Sequence, residues 1–161
     1  MLAVAALAAP PDPSVWQEPV PKETPPKVAF TLASKTARPG GTAKGKVVVT
    51  FASGLHGYQN PPTMDYMIPV ALDCLTKDVV LKPEYPKGVV KEFVGEKAAV
   101  YEGAVSIPVS LKLPKRTGKL EVKVKVNYQQ CNDTGCFPPS SQTVSANLNL
   151  TRAKTLRKKK P

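Results

Sequence analysis

Two stretches of this chain alternate apolar and polar side chains at period two, the spacing that puts one face of a β-strand in a core and the other in water. In residues 119–128, KLEVKVKVNY, one face carries Leu120, Val122, Val124, Val126 and Tyr128, and the other Lys119, Glu121, Lys123, Lys125 and Asn127. Residues 142–150, QTVSANLNL, repeat the pattern through Val144, Ala146, Leu148 and Leu150. Both runs are long enough to pair as an antiparallel hairpin about the loop between them. Further strands are expected over residues 28–34, 45–52, 67–75 and 98–112, separated by Pro, Gly and Asn clusters. Pro69 and Pro108 fall inside two of these segments and imply edges or bulges, because proline has no N–H to give to a ladder.

Composition narrows the class. A length of 161 residues suits one domain with a real core and excludes a disulfide-dense miniprotein. With 18 Pro, 10 Gly and 6% aromatic residues, few stretches are free of helix breakers, which argues against a bundle or a coiled coil. Hydrophobic residues at 42% against charged residues at 22% exclude wholesale disorder. No internal repeat is visible, so solenoids and propellers are not supported. Together with the strand spacing, this predicts an all-β, immunoglobulin-like β-sandwich of seven to nine strands.

The ends differ from this body. The formal charge is +11, but residues 152–161 hold six Lys or Arg and no acid, which leaves the rest near +5. The basic balance is therefore mostly a tail, read as a solvated end. The body lacks the aromatic-interleaved basic stripe that single-stranded nucleic acid requires, so no nucleic-acid partner is expected. At the other end, residues 1–9, MLAVAALAA, finish in Ala6, Leu7 and Ala8, the small-residue spacing of a signal-peptidase site, and are read as a signal-peptide remnant. Export is expected. Nothing later approaches 18 uninterrupted apolar residues, so no transmembrane segment is expected in the body. Residues 10–26 carry seven prolines and read as an extended leader. The folded domain is expected over 27–151, acting as a monomer, with a basic tail at 152–161.

The chemistry gathers in the loop between the two alternating runs, YQQCNDTGCFPP at 128–139, where Cys131 and Cys136 have four residues between them. If they face each other across the hairpin mouth, a disulfide is feasible. A loop this short constrains the unfolded chain by at most about 2–3 kcal/mol, so stability alone is a weak reason for the bridge. Zinc fits poorly, because the only other cysteine and histidine are Cys74 and His56 and the Cys-x4-Cys spacing is unusual. A soft Cu(I) site from His56, Met64, Met67 and a cysteine is a further alternative. The reading assigns no metal and no cofactor. For thiol exchange, the loop offers Asp133 and no Lys or Arg, so nothing nearby in sequence lowers a thiol pKa. Such a pair would depend on a partner with a more acidic thiol. Cys74 falls in register with Ile68, Val70 and Leu72 and reads as a buried, inert thiol, Tyr101 reads as core, and His56 reads as a surface or hydrogen-bonded histidine near a turn. No Ser/His/Asp arrangement supports a hydrolase.

The loop YQQCNDTGCFPP, together with LHGYQNPP at 55–62, MIPV at 67–70 and YPKGVVKEFVGEKAAVYEGAVSIPVSLKLP at 85–114, resembles the amino-terminal periplasmic domain of the thiol:disulfide interchange protein DsbD over residues 28–150. That family's fold is an immunoglobulin-like sandwich with a redox hairpin and a cap loop. The resemblance implies a periplasmic protein-disulfide reductase that takes electrons from a thioredoxin-like donor and passes them to oxidised periplasmic thiol proteins. By the same resemblance Cys131 and Cys136 form the redox pair, Cys136 making the mixed disulfide and Cys131 resolving it. Glu92, Phe93 and Gly95 correspond to the cap, with Phe93 shielding the disulfide and Val94 standing where a second aromatic is common. Tyr58, Tyr128 and Phe137 are candidates for the disulfide pocket. The chain carries neither the membrane segment nor the thioredoxin-like domain of full-length DsbD, so its donor is expected to be a separate protein. The competing expectation is a binding or scaffold sandwich in which the same bridge only pins the hairpin.

Overall fold

The two alternating runs form one continuous antiparallel ladder, from Gly118 opposite Leu150 to Tyr128 opposite Ser140. Around it, the computed structural model describes residues 24–93 and 95–152. The apolar run at 1–9, most of the Pro-rich leader, Val94 and the basic tail from residue 153 lie outside the described residues. In chain order the strands are β1 (Lys27–Leu32), β2 (Thr36–Ala37), β3 (Thr42–Thr50), β4 (His56–Tyr58), β5 (Ala71–Cys74), β6 (Val80–Pro83), β7 (Val89–Phe93), β8 (Glu96–Glu102), β9 (Ala104–Lys112), β10 (Gly118–Tyr128), β11 (Gln130–Cys131) and β12 (Ser140–Leu150).

Two four-stranded sheets, β1-β3-β9-β6 and β2-β12-β10-β5, make the expected immunoglobulin-like sandwich. Val47, Val49, Ile107, Val109 and Leu111 from the first meet Leu120, Val122, Val124, Val126, Leu148 and Leu150 from the second in one buried cluster. Each fully buried aliphatic side chain there contributes about 1.5–3 kcal/mol relative to exposure. The inward residues of β10 are the five that alternation singled out.

The sandwich has eight strands, within the seven to nine expected; of the strands beyond it, β4 and β11 have three and two residues, too short for any apolar period to be read. The single run expected over 98–112 is also two strands, divided at Gly103, where φ is 56°. That division matters for the site, because β8 belongs to a third sheet, β11-β4-β8-β7. This sheet grows from the ends of the sandwich strands: β8 runs on into β9 of the first sheet, and β10 runs on through Gln129 into β11.

The proline expectations need correction. β9, which holds Pro108, is an inner strand paired with β3 on one side and β6 on the other. It tolerates proline because Pro108 lies one position past the end of β6, where its carbonyl accepts the Glu84 N–H at 2.8 Å and the missing donor interrupts no ladder. Pro69 lies outside the strands and makes an isolated bridge to Tyr58. The strand expected over 67–75 contracts to β5, Ile68 is 37% exposed rather than inward, and Cys74 is a half-buried free thiol.

Candidate functional site

The third sheet is built around three residues, His56, Gly57 and Tyr58, that form β4 between β11 and β8. Gly57 lets this strand approach the sandwich: a Cβ there would stand 2.6 Å from Phe51 Cζ and 3.2 Å from Val70 Cγ2. His56 and Tyr58 flank it and project from the opposite face, their rings edge-on with centroids 6.0 Å apart.

Backbone register then decides what shares that face. Cys131 of β11 lies opposite His56, and Glu102 of β8 lies opposite His56 on the other side. Cross-strand partners project to the same side of a sheet, so Cys131, His56 and Glu102 form one row across three strands. Tyr58 is opposite Val100, which is opposite Val89; Lys91 is opposite Ala98 and Phe93 opposite Glu96. All of these belong to the same face. Met67, Ala98 and Val100 form a small buried cluster on it, against which Tyr58, Met64 and Phe93 pack. Both methionines named for a copper site are thus packing residues, and Met64 Sδ also accepts the Tyr66 hydroxyl at 2.9 Å.

Cys131 and Cys136 are joined by a disulfide. The loop between them is shaped by Asn132, whose Oδ1 accepts the Thr134 N–H at 2.9 Å, the Thr134 hydroxyl at 2.9 Å and the Gly135 N–H at 2.8 Å, while its own N–H donates to Gly135 O at 2.9 Å. This is the local competition of an Asn side chain with regular structure that turns require. Phe137 closes the loop, its N–H donating to Gln130 O at 2.8 Å and its carbonyl accepting Gln129 Nε2 at 3.0 Å. The two sulfurs end in different environments. Cys131 is 1% exposed, whereas Cys136 is exposed to solvent with the Tyr58 hydroxyl 3.6 Å from its Sγ.

Other sequence candidates are placed as follows. β7 turns back into β8 between Phe93 and Glu96, with Gly95 at φ 84°, a left-handed conformation that suits glycine. Phe93 is half-buried and stacks on His56, ring centroids 4.8 Å apart and planes 26° apart. Glu92 is exposed on the opposite face of the hairpin, in register with Lys97. Tyr128 packs in the main sandwich core, where its hydroxyl accepts Gln142 Nε2 at 3.1 Å. Tyr101 is buried, with its hydroxyl donating to Pro86 O at 2.7 Å.

His56 was not legible as part of this group. Far from being a surface residue, it is 2% exposed, and no side-chain hydrogen bond of its imidazole occurs among the described residues. Burial pushes its pKa below the ordinary histidine value; Glu102 opposes this, Lys91 adds to it, and Asp133 opposes it weakly. Lys91 and Glu102 are themselves an ion pair at the rim of the face. Burial also raises the Tyr58 hydroxyl pKa.

Among the described residues, no helix is long and apolar enough to cross a membrane. The fold is similar to that of the N-terminal periplasmic domain of ScsB from Proteus mirabilis, at 17% identity and a TM-score of 0.58, over 81% of this chain and 49% of that one. The chain thus spans about half the length of that structure. The reduced N-terminal domain of DsbD from Neisseria meningitidis is 20% identical over 76% of this chain and 85% of that one, with a TM-score of 0.47. No curated protein matches. The family described as thiol:disulfide interchange protein DsbD, N-terminal, matches residues 22–148, most of the chain, and the chain belongs to that family.

Proposed function

We propose that this domain is a periplasmic thiol:disulfide exchange module of the protein-disulfide reductase type, relaying electrons through a reversible Cys131–Cys136 disulfide from a thioredoxin-like reductant to oxidised periplasmic proteins. The observation that carries this reading is the asymmetry of the pair: one cysteine buried, one exposed. A docking thiolate reaches the exposed Cys136 Sγ, breaks the bridge and forms a mixed disulfide, releasing Cys131 as a thiolate. A second thiolate of the reductant then attacks its own sulfur in that mixed disulfide, and the domain departs with two thiols. Delivery to a client reverses these steps. Cys136 attacks the client disulfide, and Cys131 then attacks Cys136 Sγ, regenerating the bridge and freeing two client thiols. Phe93, at the tip of the β7–β8 hairpin and stacked over the neighbour of Cys131, serves as the lid that a partner displaces.

The test is trapping. With Cys74 replaced by Ser, Cys131→Ala removes the resolving thiol of the domain, and a thioredoxin-like protein whose own resolving cysteine is replaced by Ala should be held as a persistent mixed disulfide, seen on non-reducing gels and absent when Cys136→Ala is added. Recovery of no thioredoxin-like protein, or trapping by Cys136→Ala alone, would overturn the proposal.

A further inference from the structure

Exchange requires a proton acceptor when the domain is reduced. A cysteine thiol has an ordinary pKa of about 8.5, so at pH 7 only a few per cent is thiolate, and apolar burial lowers that fraction further. Cys131 is the buried member of the pair. Its neighbours within the loop offer no cation.

The third sheet supplies what the loop lacks. His56 is the cross-strand partner of Cys131 on the same face, a relation that places Cβ atoms about 4.5–5.5 Å apart. On the other side of His56, in the same row, stands Glu102. A thiol, an imidazole and a carboxylate in sequence across three strands is the arrangement of nucleophile, base and supporting acid by which nucleophiles are activated. Phe93 stacked on the imidazole limits the access of water to it.

We propose that His56 is the base of the resolving step, taking the Cys131 proton as Cys131 attacks the mixed disulfide at Cys136, with Glu102 stabilising the imidazolium that forms. This deepens the exchange reading and rests on it. The step balances: the Cys131–Cys136 bond forms, the Cys136–partner S–S bond breaks, and the electron pair of that bond leaves with the partner thiolate. The proton passes from Cys131 to His56 and then to that thiolate. In the opposite direction, the partner thiol gives its proton to His56 as it attacks Cys136, and the imidazolium so formed protonates Cys131 as it departs from the opened bridge.

The charged groups around the imidazole fit this task. Its pKa is held below the ordinary value chiefly by burial, so the ring is neutral and able to accept a proton at pH 7. Glu102 on β8 and Asp133 in the cysteine loop favour the imidazolium, and Lys91 on β7 tempers them. Tyr58, from the same strand as His56, has its hydroxyl pKa raised and stays neutral throughout this range.

The resolving step can be read alone. Reduced protein carrying Cys74→Ser is mixed with dithiobis-nitrobenzoate: attack by Cys136 releases one coloured thiolate, and resolution by Cys131 releases a second in a slower phase. The second phase should rise with pH through the His56 pKa, below 6.5, and then level off until the thiols themselves titrate. His56→Gln should slow it at pH 7 by at least about tenfold and abolish the plateau, leaving a rate that rises tenfold per pH unit up to the thiol pKa. His56→Tyr retains a ring beneath Phe93 and should show the same loss, provided the oxidised variant folds as judged by far-ultraviolet circular dichroism. The inference is overturned if both variants keep the second phase and its pH profile, or if they slow both phases equally. It fails separately from the relay reading. A missing thioredoxin-like partner in the trapping experiment sinks the relay, whereas an unchanged second phase sinks only the role of His56.

Discussion

Phe93 and His56 stack with ring centroids 4.8 Å apart, joining the tip of the β7–β8 hairpin to the strand beside Cys131. The stack ties Phe93 to a residue whose cross-strand neighbour is the buried Cys131, which is the basis for the lid role proposed for Phe93.

Removing the lid side chain should open the site to small thiols. An aromatic pair of this kind contributes about 0.5–1.5 kcal/mol, and about 1.4 kcal/mol corresponds to tenfold in a rate. Phe93→Ala should therefore speed reduction of the bridge by dithiothreitol several-fold, up to about tenfold, with little change in urea midpoint because Phe93 lies outside the main core. Equal reduction rates in the two proteins would remove Phe93 from the shielding role.

Folding stability should carry the signature of His56. Its folded pKa is depressed by burial, so the unfolded chain binds a proton that the folded one refuses. The stabilising effect of keeping the ring neutral is fully present above the unfolded value of about 6.5 and is lost as pH falls from there towards the folded pKa. Urea midpoints measured from pH 8 to pH 5 should decline in the native chain across that window. His56→Gln should flatten this part of the decline. Parallel profiles would show that the ring titrates as it does in water.

Gly57 is a point of close approach, not a flexible link. Gly57→Ala drives a methyl into Phe51 and Val70, both of the main core, and should cost about 1–3 kcal/mol by overpacking. Because β4 also carries His56 and Tyr58, the same substitution should disturb the Phe93 stack, visible as faster reduction of the bridge by small thiols. Native-like stability in Gly57→Ala would mean that β4 does not sit against the sandwich as closely as described.

The long ladder could be read from the chain because its apolar period persists over eleven residues in β10, each inward position repeating the same instruction. The cysteine loop was equally plain, since both thiols are local in sequence and lie between the two alternating runs. The third sheet was hidden for the opposite reason. β4 and β11 are three and two residues long, and their pairing depends on distant segments meeting at the end of the sandwich. His56 therefore looked like a histidine beside a turn, and only the register of β4 against β11 and β8 sets it between Cys131 and Glu102. Ile68 misled in a different way. Period two placed it inward with Val70, Leu72 and Cys74; Val70 and Leu72 are buried and Cys74 packs half-buried against the same core, but the strand begins only at Ala71 and Ile68, outside it, is 37% exposed.

The central claim is that the Cys131–Cys136 bridge cycles, and its reduction potential tests this most directly. The protein, with Cys74 replaced by Ser, is equilibrated against defined ratios of reduced and oxidised glutathione or dithiothreitol, and the free thiols are counted. A relay requires a value within the range of known exchange proteins, about −180 to −270 mV. A value below about −300 mV would describe a bridge built to stay closed, and would contradict it.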